Sequence, residues 1–145
     1  MVTAQAPNAT TPADADRGRL LAILVYGLYL AAFVNGITAI IGVVLAYVGR
    51  SDARGTVYES HFSNAITVFW VSFAVMLLFV ALAGAFALSL LGGVTIHGGS
   101  QIWGHFNPLG FAFIPVFGFG GLALLVWYVY RTVAGLVRAL DARPW

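Results

Sequence analysis

Two long stretches without a charged side chain dominate this sequence. The first covers 30 residues from Leu20 to Gly49, and the second covers 71 residues from Ser60 to Tyr130. A helix of roughly 20 apolar residues crosses a hydrocarbon core of about 30 Å, so these stretches can hold several spans. Only 8% of the chain is charged and 61% is apolar, whereas soluble domains average about 25% charged residues. The sequence therefore predicts an all-α integral membrane protein surrounded by membrane lipid.

The lengths of the two stretches predict a bundle of three transmembrane helices, at about 20–48, 65–91 and 108–130. Asn35 and Gly36 lie near the middle of the first span. A re-entrant hairpin there would have halves of roughly 15 residues, each about 22 Å long and too short to cross, so we predict one continuous helix. Asn107 followed by Pro108 has the pattern of an N-cap and a first helical residue, which marks the start of the third span.

The two ends of the chain differ in composition from the spans. Residues 1–19 are rich in Ala, Thr, Pro and Asp, so they have little to bury and we expect a mobile tail. Residues 20–145 then form a single membrane domain. In its last part, 131–145, apolar residues recur at helical spacing on the face opposite Arg131 and Arg138: Val133, Leu136, Val137 and Leu140. This pattern predicts a short amphipathic helix on the membrane surface.

The basic residues, all of which are arginine, predict the orientation. Three spans place the N-terminus and the second connection on one side, and the first loop, 50–64, and the C-terminus on the other. Two arginines then lie on the first side and five on the second: Arg17 and Arg19 against Arg50, Arg54, Arg131, Arg138 and Arg143. The positive-inside rule places the first loop and the C-terminus in the cytoplasm.

Few residues of this chain could support catalysis or bind a cofactor. There is no cysteine, and the net charge of +2 is too small and dispersed for nucleic-acid binding. A single glutamate and four aspartates, three of them in the tails, leave no place for paired-carboxylate chemistry. We therefore predict no catalytic residues, no resident cofactor, no metal site and no nucleic-acid partner.

The three histidines raise the question of haem. His61 begins the second span, whereas His97 and His105 follow it on the other side of the membrane. Only His97 and His105 could meet at one iron, and their Gly-rich connection is a poor haem cradle. Haem held by this chain alone is therefore not favoured, although one histidine donated to a partner's cofactor stays open.

Asn35 is the most costly residue to place in the membrane, because its amide lies near the predicted bilayer centre. We predict that it forms a hydrogen bond to another helix in preference to a transport or ligand-binding role. Two small-xxx-small pairs would allow close helix approach, and they are Ala32 with Gly36 and Ala81 with Ala85.

Glu59, His61 and Arg131 form a predicted charge cluster at one membrane interface. Glu59 starts the apolar run that leads into the second span, and Arg131 ends the third span, so each charge suits the dipole of its own helix end. We predict that these three residues form ion pairs that fix the helix ends at the membrane surface. A site that binds and transfers protons is the alternative.

Three segments of the chain carry a resemblance to known proteins, and they are YGLYLAAFVNGITAIIGVVLAYVGR, YESHFSNAITVFW and WYVYRTVAGLVRALDARPW. They resemble a group of small bacterial inner-membrane proteins of unknown function, which implies a multi-pass protein of a bacterial inner membrane. This group is distantly similar to a membrane subunit of the chloroplast Tic protein-import translocon. Together they extend the resemblance over about residues 20–145, with Glu59-Ser60-His61-Phe62 and the ending from Arg131 to Pro144 as its most specific parts. The resemblance implies three spans and a motif at or near the cytoplasm between the first two, but no chemistry.

Three functions are compatible with these features. The absence of catalytic groups favours an accessory or assembly subunit that packs against other membrane subunits. A self-assembling pore or transport protein is the alternative, although the spans offer little polar lining. Haem-linked electron transfer is the third, and it requires a cofactor for which the sequence provides no clear site.

Overall fold

The computed structural model describes residues 12–96 and 108–145, which fold into helices without any strand. The helices are α1 (Pro12–Ala31), α2 (Ile37–Asp52), α3 (Tyr58–Ile96) and α4 (Pro108–Leu140). The all-α class is confirmed. Within the described residues, two helices and not three are long and apolar enough to cross a membrane, with candidate spans at Tyr58–Leu88 and Phe113–Leu140.

The continuous first span predicted at 20–48 is wrong, because the chain turns back between α1 and α2. The side-chain oxygen of Asn35 accepts the backbone N–H of Ile37 at 3.2 Å, and the Asn35 carbonyl accepts the N–H of Thr38 at 3.0 Å. Asparagine forms such local turns readily, and both asparagine and glycine are poor helix formers. Asn35 and Gly36 therefore end one helix and begin the next, and α1 and α2 form a helical hairpin.

The expected tail and the first loop also differ from their predicted bounds. Part of the expected mobile tail is helical from Pro12 onward, with Asp14 in the first turn, where the helix dipole favours a carboxylate; residues 1–11 lie outside the described residues. The first loop shrinks to 53–57, because α3 begins at Tyr58 and not at 65. The polar residues that resembled a loop form the first turns of α3, and several of their side chains are directed inward.

The separate amphipathic helix predicted at 131–145 is also wrong. Helix α4 begins at Pro108, as expected, and continues without interruption to Leu140. Its buried face near the end consists of small residues, Thr132, Gly135 and Ala139, and not of the larger apolar residues that had defined the predicted stripe. The ring of Tyr26 occupies the space beside Gly135. This face of α4 can therefore pack inward only because its side chains are small.

The chain predicted as one membrane domain, 20–145, groups into two compact units. The first contains the described residues up to Trp70 together with Val129–Trp145, and the second contains Val71–Tyr128. In the second unit, aromatic rings of α3 and α4 pair, with ring centres 5.1 Å apart for Phe79 and Phe117 and 4.4 Å apart for Phe86 and Phe113. Such pairs stabilise helix packing beyond simple burial.

In the first unit, aromatic rings pack directly onto glycines of neighbouring helices. A Cβ built on Gly42 would lie 2.7 Å from Cε1 of Tyr29, and one on Gly49 would lie 2.7 Å from Cε1 of Phe62. These distances leave no room for a side chain. The glycines therefore set the close approach of α2 to α1 and to α3.

The starts of α1 and α3 and the ends of α2 and α4 gather at one end of the first unit. The guanidinium of Arg19 donates to the carbonyl of Leu140 at 2.7 Å, and Gly18 lies against the ring of Tyr58. All seven arginines of the chain belong to the first unit. We call this end, where the chain enters α1 and leaves α4, the arginine end.

Candidate functional site

A buried polar network joins α1 to α3 near the arginine end. Tyr26, His61 and Asn64 are 1%, 0% and 3% exposed. The amide nitrogen of Asn64 donates to the hydroxyl of Tyr26 at 3.0 Å, and that hydroxyl lies 3.4 Å from Nδ1 of His61. His61 and Asn64 are three residues apart on one helix face, so a single tyrosine can contact both.

His61 connects this network to the last residues of the chain. Its Nε2 lies 2.7 Å from the carbonyl oxygen of Arg143. A carbonyl can only accept, so Nε2 carries the hydrogen and Nδ1 presents its lone pair to Tyr26. Both ring nitrogens of His61 are thus within hydrogen-bond distance of protein groups, and the ring ties α1, α3 and the chain end together.

The chain end reaches His61 through a Schellman turn at the end of α4. The N–H of Arg143 donates to the carbonyl of Arg138 at 2.9 Å, and that of Ala142 donates to Ala139 at 3.3 Å. Ala142 has φ 53°, in the left-handed region. This pair of hydrogen bonds defines the motif, and it directs the following residues back towards α3. We call residues 141–145 the C-terminal clasp.

Trp145 fixes the clasp on the surface of α3 and α4. Its backbone N–H donates to the hydroxyl of Ser60 at 3.0 Å. The guanidinium carbons of Arg131 and Arg138 lie 4.8 and 4.9 Å from the centre of its ring. Two cations over one indole ring are attracted to its π electrons, so the clasp joins two turns of α4 to the start of α3.

An open groove of about 540 Å³ follows the first turns of α3 beside the clasp. Seven of its eight lining residues have a polar or charged side chain, and the eight are Thr56, Glu59, Ser60, Ser63, Asn64, Thr67, Arg131 and Trp145. Four of these residues lie at the i, i+3, i+4 and i+7 positions of one helix face, so α3 presents a polar stripe. We call this feature the polar groove.

The polar groove has an unsatisfied acceptor beneath its surface. The hydroxyls of Ser63 and Thr67 donate to carbonyls of their own helix, at 3.0 and 2.9 Å. The side-chain oxygen of Asn64, by contrast, is buried and has no hydrogen-bond partner in the part of the chain that the structure describes. A buried acceptor left in this state costs roughly 1–3 kcal/mol, so it lowers the stability of α3 beneath the groove.

The predicted charge cluster is brought together only in part. Glu59 and Arg131 line the same groove, whereas His61 is buried in the network with Tyr26. The carboxylate of Glu59 accepts the backbone N–H of Gly55 at 3.0 Å, which secures the loop before α3. A direct contact between Glu59 and Arg131 stays a prediction.

The residues predicted to form helix contacts lie elsewhere than expected. The interhelical hydrogen bond expected of Asn35 is replaced by the hydrogen bonds that close its own turn, and its side chain is exposed. Gly36 has no atom of another residue within 4 Å of a built Cβ. Ala32 is half-buried, and Ala81 and Ala85 are exposed. The small-residue pairs predicted from the sequence therefore do not include Gly42 and Gly49, the glycines against which aromatic rings pack.

The residues considered for metal or haem binding are only partly described. His97 and His105 lie outside the described residues. Within 12–96 and 108–145, no three His, Cys, Asp or Glu side chains come together as a metal site.

Comparisons with known proteins identify no relative of this chain. No family model matches the sequence, and no curated protein or solved structure was found to be similar to it. Its function must therefore be inferred from its own residues and contacts.

Proposed function

We propose that this chain is a non-catalytic, multi-pass protein of a bacterial inner membrane, and that it packs as an accessory or assembly subunit against a larger membrane complex. The extent of its exposed apolar surface supports a membrane location. Every exposed side chain from Val71 to Leu88 is apolar, and on α4 Ile114 and Phe119 are each 75% exposed. Apolar surface on this scale is normally covered by lipid or by protein.

The polar groove is the observation that carries the proposal of a protein partner. It combines serine and threonine hydroxyls with two opposite charges, Glu59 and Arg131. Lipid tails cannot form hydrogen bonds with such groups, whereas the serine, threonine or amide side chains of another subunit can. On α3 itself, the polar side chains of the groove are confined to the first turns, while the exposed face beyond Trp70 is apolar. This distribution favours a contact site over the continuous polar lining of a pore.

The arginines support an orientation with the arginine end in the cytoplasm. Because α1 and α2 form a hairpin, Arg17 and Arg19 lie on the same side as Arg50 and Arg54. With three spans, two arginines would lie on one side of the membrane and five on the other. With the hairpin, all seven lie on one side. The positive-inside rule then assigns that side to the cytoplasm, as the resemblance to small bacterial inner-membrane proteins also implies.

Co-purification in a mild detergent, with two matched variants, tests the proposed function. Thr67→Phe fills the polar groove from an exposed position, while Ser51→Phe makes a similar change on α2 away from the groove. Both hydroxyls donate to a carbonyl of their own helix in the native chain, and that of Ser51 also lies 3.1 Å from the carboxylate of Asp52, so each replacement removes only hydrogen bonds to nearby residues of the same helix. We expect defined membrane subunits to co-purify in constant ratio with the native chain and with Ser51→Phe, and their yield to fall several-fold with Thr67→Phe.

Two results would contradict the proposed function. Recovery of this chain alone at every expression level would point to self-assembly, and a conductance assay in liposomes would then test the pore. Equal yields with the two variants would show that the groove does not hold the partner.

A further inference from the structure

We propose that the α1–α2 hairpin is re-entrant: it enters the bilayer from the arginine end, embeds its tip among lipid acyl chains and returns to the same face. We define the hairpin tip as residues 32–37, the turn and the first residue of α2. This proposal rests on the membrane location in the proposed function. It goes further by naming the surface that contacts lipid and the depth at which the chain turns.

The lengths of the two apolar arms are too short for a crossing. The uncharged part of α1, Leu20–Ala31, has 12 residues, and that of α2, Ile37–Gly49, has 13. At 1.5 Å per residue they extend about 18 and 20 Å, against a hydrocarbon core of about 30 Å. The uncharged run Ser60–Leu88 in α3 has 29 residues, or about 43 Å. The same chain thus builds a helix that can cross and two arms that cannot.

The side chains of the hairpin tip suit acyl chains and not water. Phe33 is 53% exposed, Val34 is 93% exposed and Ile37 is 63% exposed. Turns that face water are built mainly from Gly, Pro, Asn, Asp and Ser. Three large apolar side chains directed outward around a single Asn-Gly pair instead make a tip that gains free energy by entering hydrocarbon.

Five of the six backbone N–H groups of the tip donate hydrogen bonds within the hairpin, which lowers the cost of placing this turn in hydrocarbon. The N–H groups of Ala32, Phe33, Val34 and Asn35 all donate to carbonyls of the last turn of α1. On the other side of the turn, Thr38 donates to the Asn35 carbonyl through both its N–H, at 3.0 Å, and its hydroxyl, at 2.8 Å.

The side chain of Asn35 accepts the N–H of Ile37 at the centre of this turn. Asn35, which the sequence predicts to be costly in the membrane, thus supplies the acceptor for a backbone N–H of the turn.

Charges anchor both ends of the hairpin at one face. Arg17 and Arg19 precede the first arm, and Arg50 and Arg54 follow the second, with no charged residue between Arg19 and Arg50. The hydrogen bond from Arg19 to the carbonyl of Leu140 fixes the entry of α1 beside the exit of α4. Arginines at both ends and none at the tip are the distribution expected of a segment that returns to the side from which it entered.

Single-cysteine variants test this proposal directly, because the chain has no native cysteine. Asp16→Cys, Val34→Cys and Ser51→Cys place a thiol at an exposed position before, at the tip of and after the hairpin. Each variant is treated with a charged, membrane-impermeant maleimide in intact cells, in inverted membrane vesicles and after detergent solubilisation. We expect Asp16→Cys and Ser51→Cys to react in inverted vesicles and in detergent but not in intact cells, and Val34→Cys to react only in detergent.

A second measurement identifies what surrounds the tip. A fluorophore attached to Val34→Cys in detergent is reconstituted into vesicles of brominated phospholipid, which quench on contact with the acyl chains. We expect quenching several-fold greater than for the same fluorophore on Ser51→Cys. A protected thiol without quenching would mean that protein, such as a second copy of this chain, covers the tip, and would overturn the proposal.

The remaining outcomes separate this proposal from its alternatives and from the proposed function. Labelling of Val34→Cys in intact cells would show a crossing hairpin, and labelling of Asp16→Cys there would show a continuous helix. Labelling of Val34→Cys in inverted vesicles would place the tip in cytoplasmic water, and recovery of the chain in the soluble fraction would remove its membrane setting. Each of these overturns the proposal. Failure to co-purify a partner, with Val34→Cys protected and quenched, would contradict only the proposed function.

Discussion

At the scale of the residue, the hydroxyl of Tyr26 holds the buried network together. Tyr26→Phe removes the acceptor for the Asn64 amide and the group facing Nδ1 of His61, which leaves buried polar atoms without a partner. We expect the free energy of unfolding to fall by about 1–3 kcal/mol, measured by denaturant titration in detergent micelles. Tyr47→Phe is the control, because the hydroxyl of Tyr47 accepts from Trp70 at an exposed position, so its removal leaves no buried polar atom without a partner. Equal losses would contradict a special role for the network.

Ala142 provides a second test at this scale, because it has a conformation that glycine adopts more easily. Its φ of 53° is left-handed, which costs a residue with a Cβ roughly 1–2 kcal/mol. Ala142→Gly should therefore stabilise the protein, by about 0.5–1 kcal/mol after the greater freedom of glycine in the unfolded chain is counted. The same change inside α4, Ala134→Gly, should destabilise it by about 1 kcal/mol. The changes in the free energy of unfolding must therefore have opposite signs for the two variants. A loss of stability in both would show that Ala142 is not strained.

The components of the candidate site differ in how far the sequence could predict them. Glu59 and Arg131 could be assigned to one surface, because each lies at the end of an uncharged stretch and suits its helix dipole. The network of Tyr26 could not, since its hydrogen bonds depend on which face of α1 packs against α3. The C-terminal clasp was missed because Ala142 occupies the position where glycine usually signals a Schellman turn. Pro144 after the helix end was the available signal.

At the scale of the element, the glycines of α2 determine how closely the hairpin packs. Gly49→Ala places a methyl group 2.7 Å from the ring of Phe62, so helix or ring must shift. We expect a loss of about 1–3 kcal/mol in the free energy of unfolding, typical of overpacking. Gly84→Ala is the matched control in α3, where no atom lies within 4 Å of the new methyl group, and it should be neutral or slightly stabilising. A neutral result at Gly49 would show that the interface yields easily.

The bounds of a helix could be predicted where its local capping residues agree with the length of the uncharged stretch. They were predicted wrongly where a local turn or a distant partner overrides that length. The start of α4 follows from Asn107-Pro108, whereas the hairpin required Asn35 and Gly36 to outweigh 30 uncharged residues. Residues 58–64 resemble a loop by composition. They are helical because their polar groups find partners inside the first unit, such as the clasp and Tyr26, and these partners are distant in sequence.

At the scale of the whole molecule, the hydrogen bonds of the first unit separate into two classes by sequence distance. Tyr29 donates to the carbonyl of Ala65 at 2.8 Å across 36 residues, whereas Arg19 reaches Leu140 across 121. Contacts between distant residues close larger loops and tend to form later in folding.

This order can be tested through the folding and unfolding rates of two variants. We expect Tyr29→Phe to slow folding, and Arg19→Gln to act chiefly on unfolding, with a φ-value near zero. Stopped-flow folding in detergent micelles measures both rates. A φ-value for Arg19→Gln as large as that for Tyr29→Phe would reverse the order.

The contacts of the C-terminal clasp can form only late in synthesis, after the ribosome has added residues 141–145. Until residues 141–145 have been synthesised, Nε2 of His61 lacks the Arg143 carbonyl and the hydroxyl of Ser60 lacks the backbone of Trp145. A growing chain that has completed only α1, α2 and α3 therefore has a hairpin and an unfinished polar surface beside it. Arrival of α4 and the clasp completes the wall of the polar groove that Arg131 and Trp145 form. A partner that contacts this wall would recognise only chains whose synthesis has passed that point, and recruitment would then follow maturation.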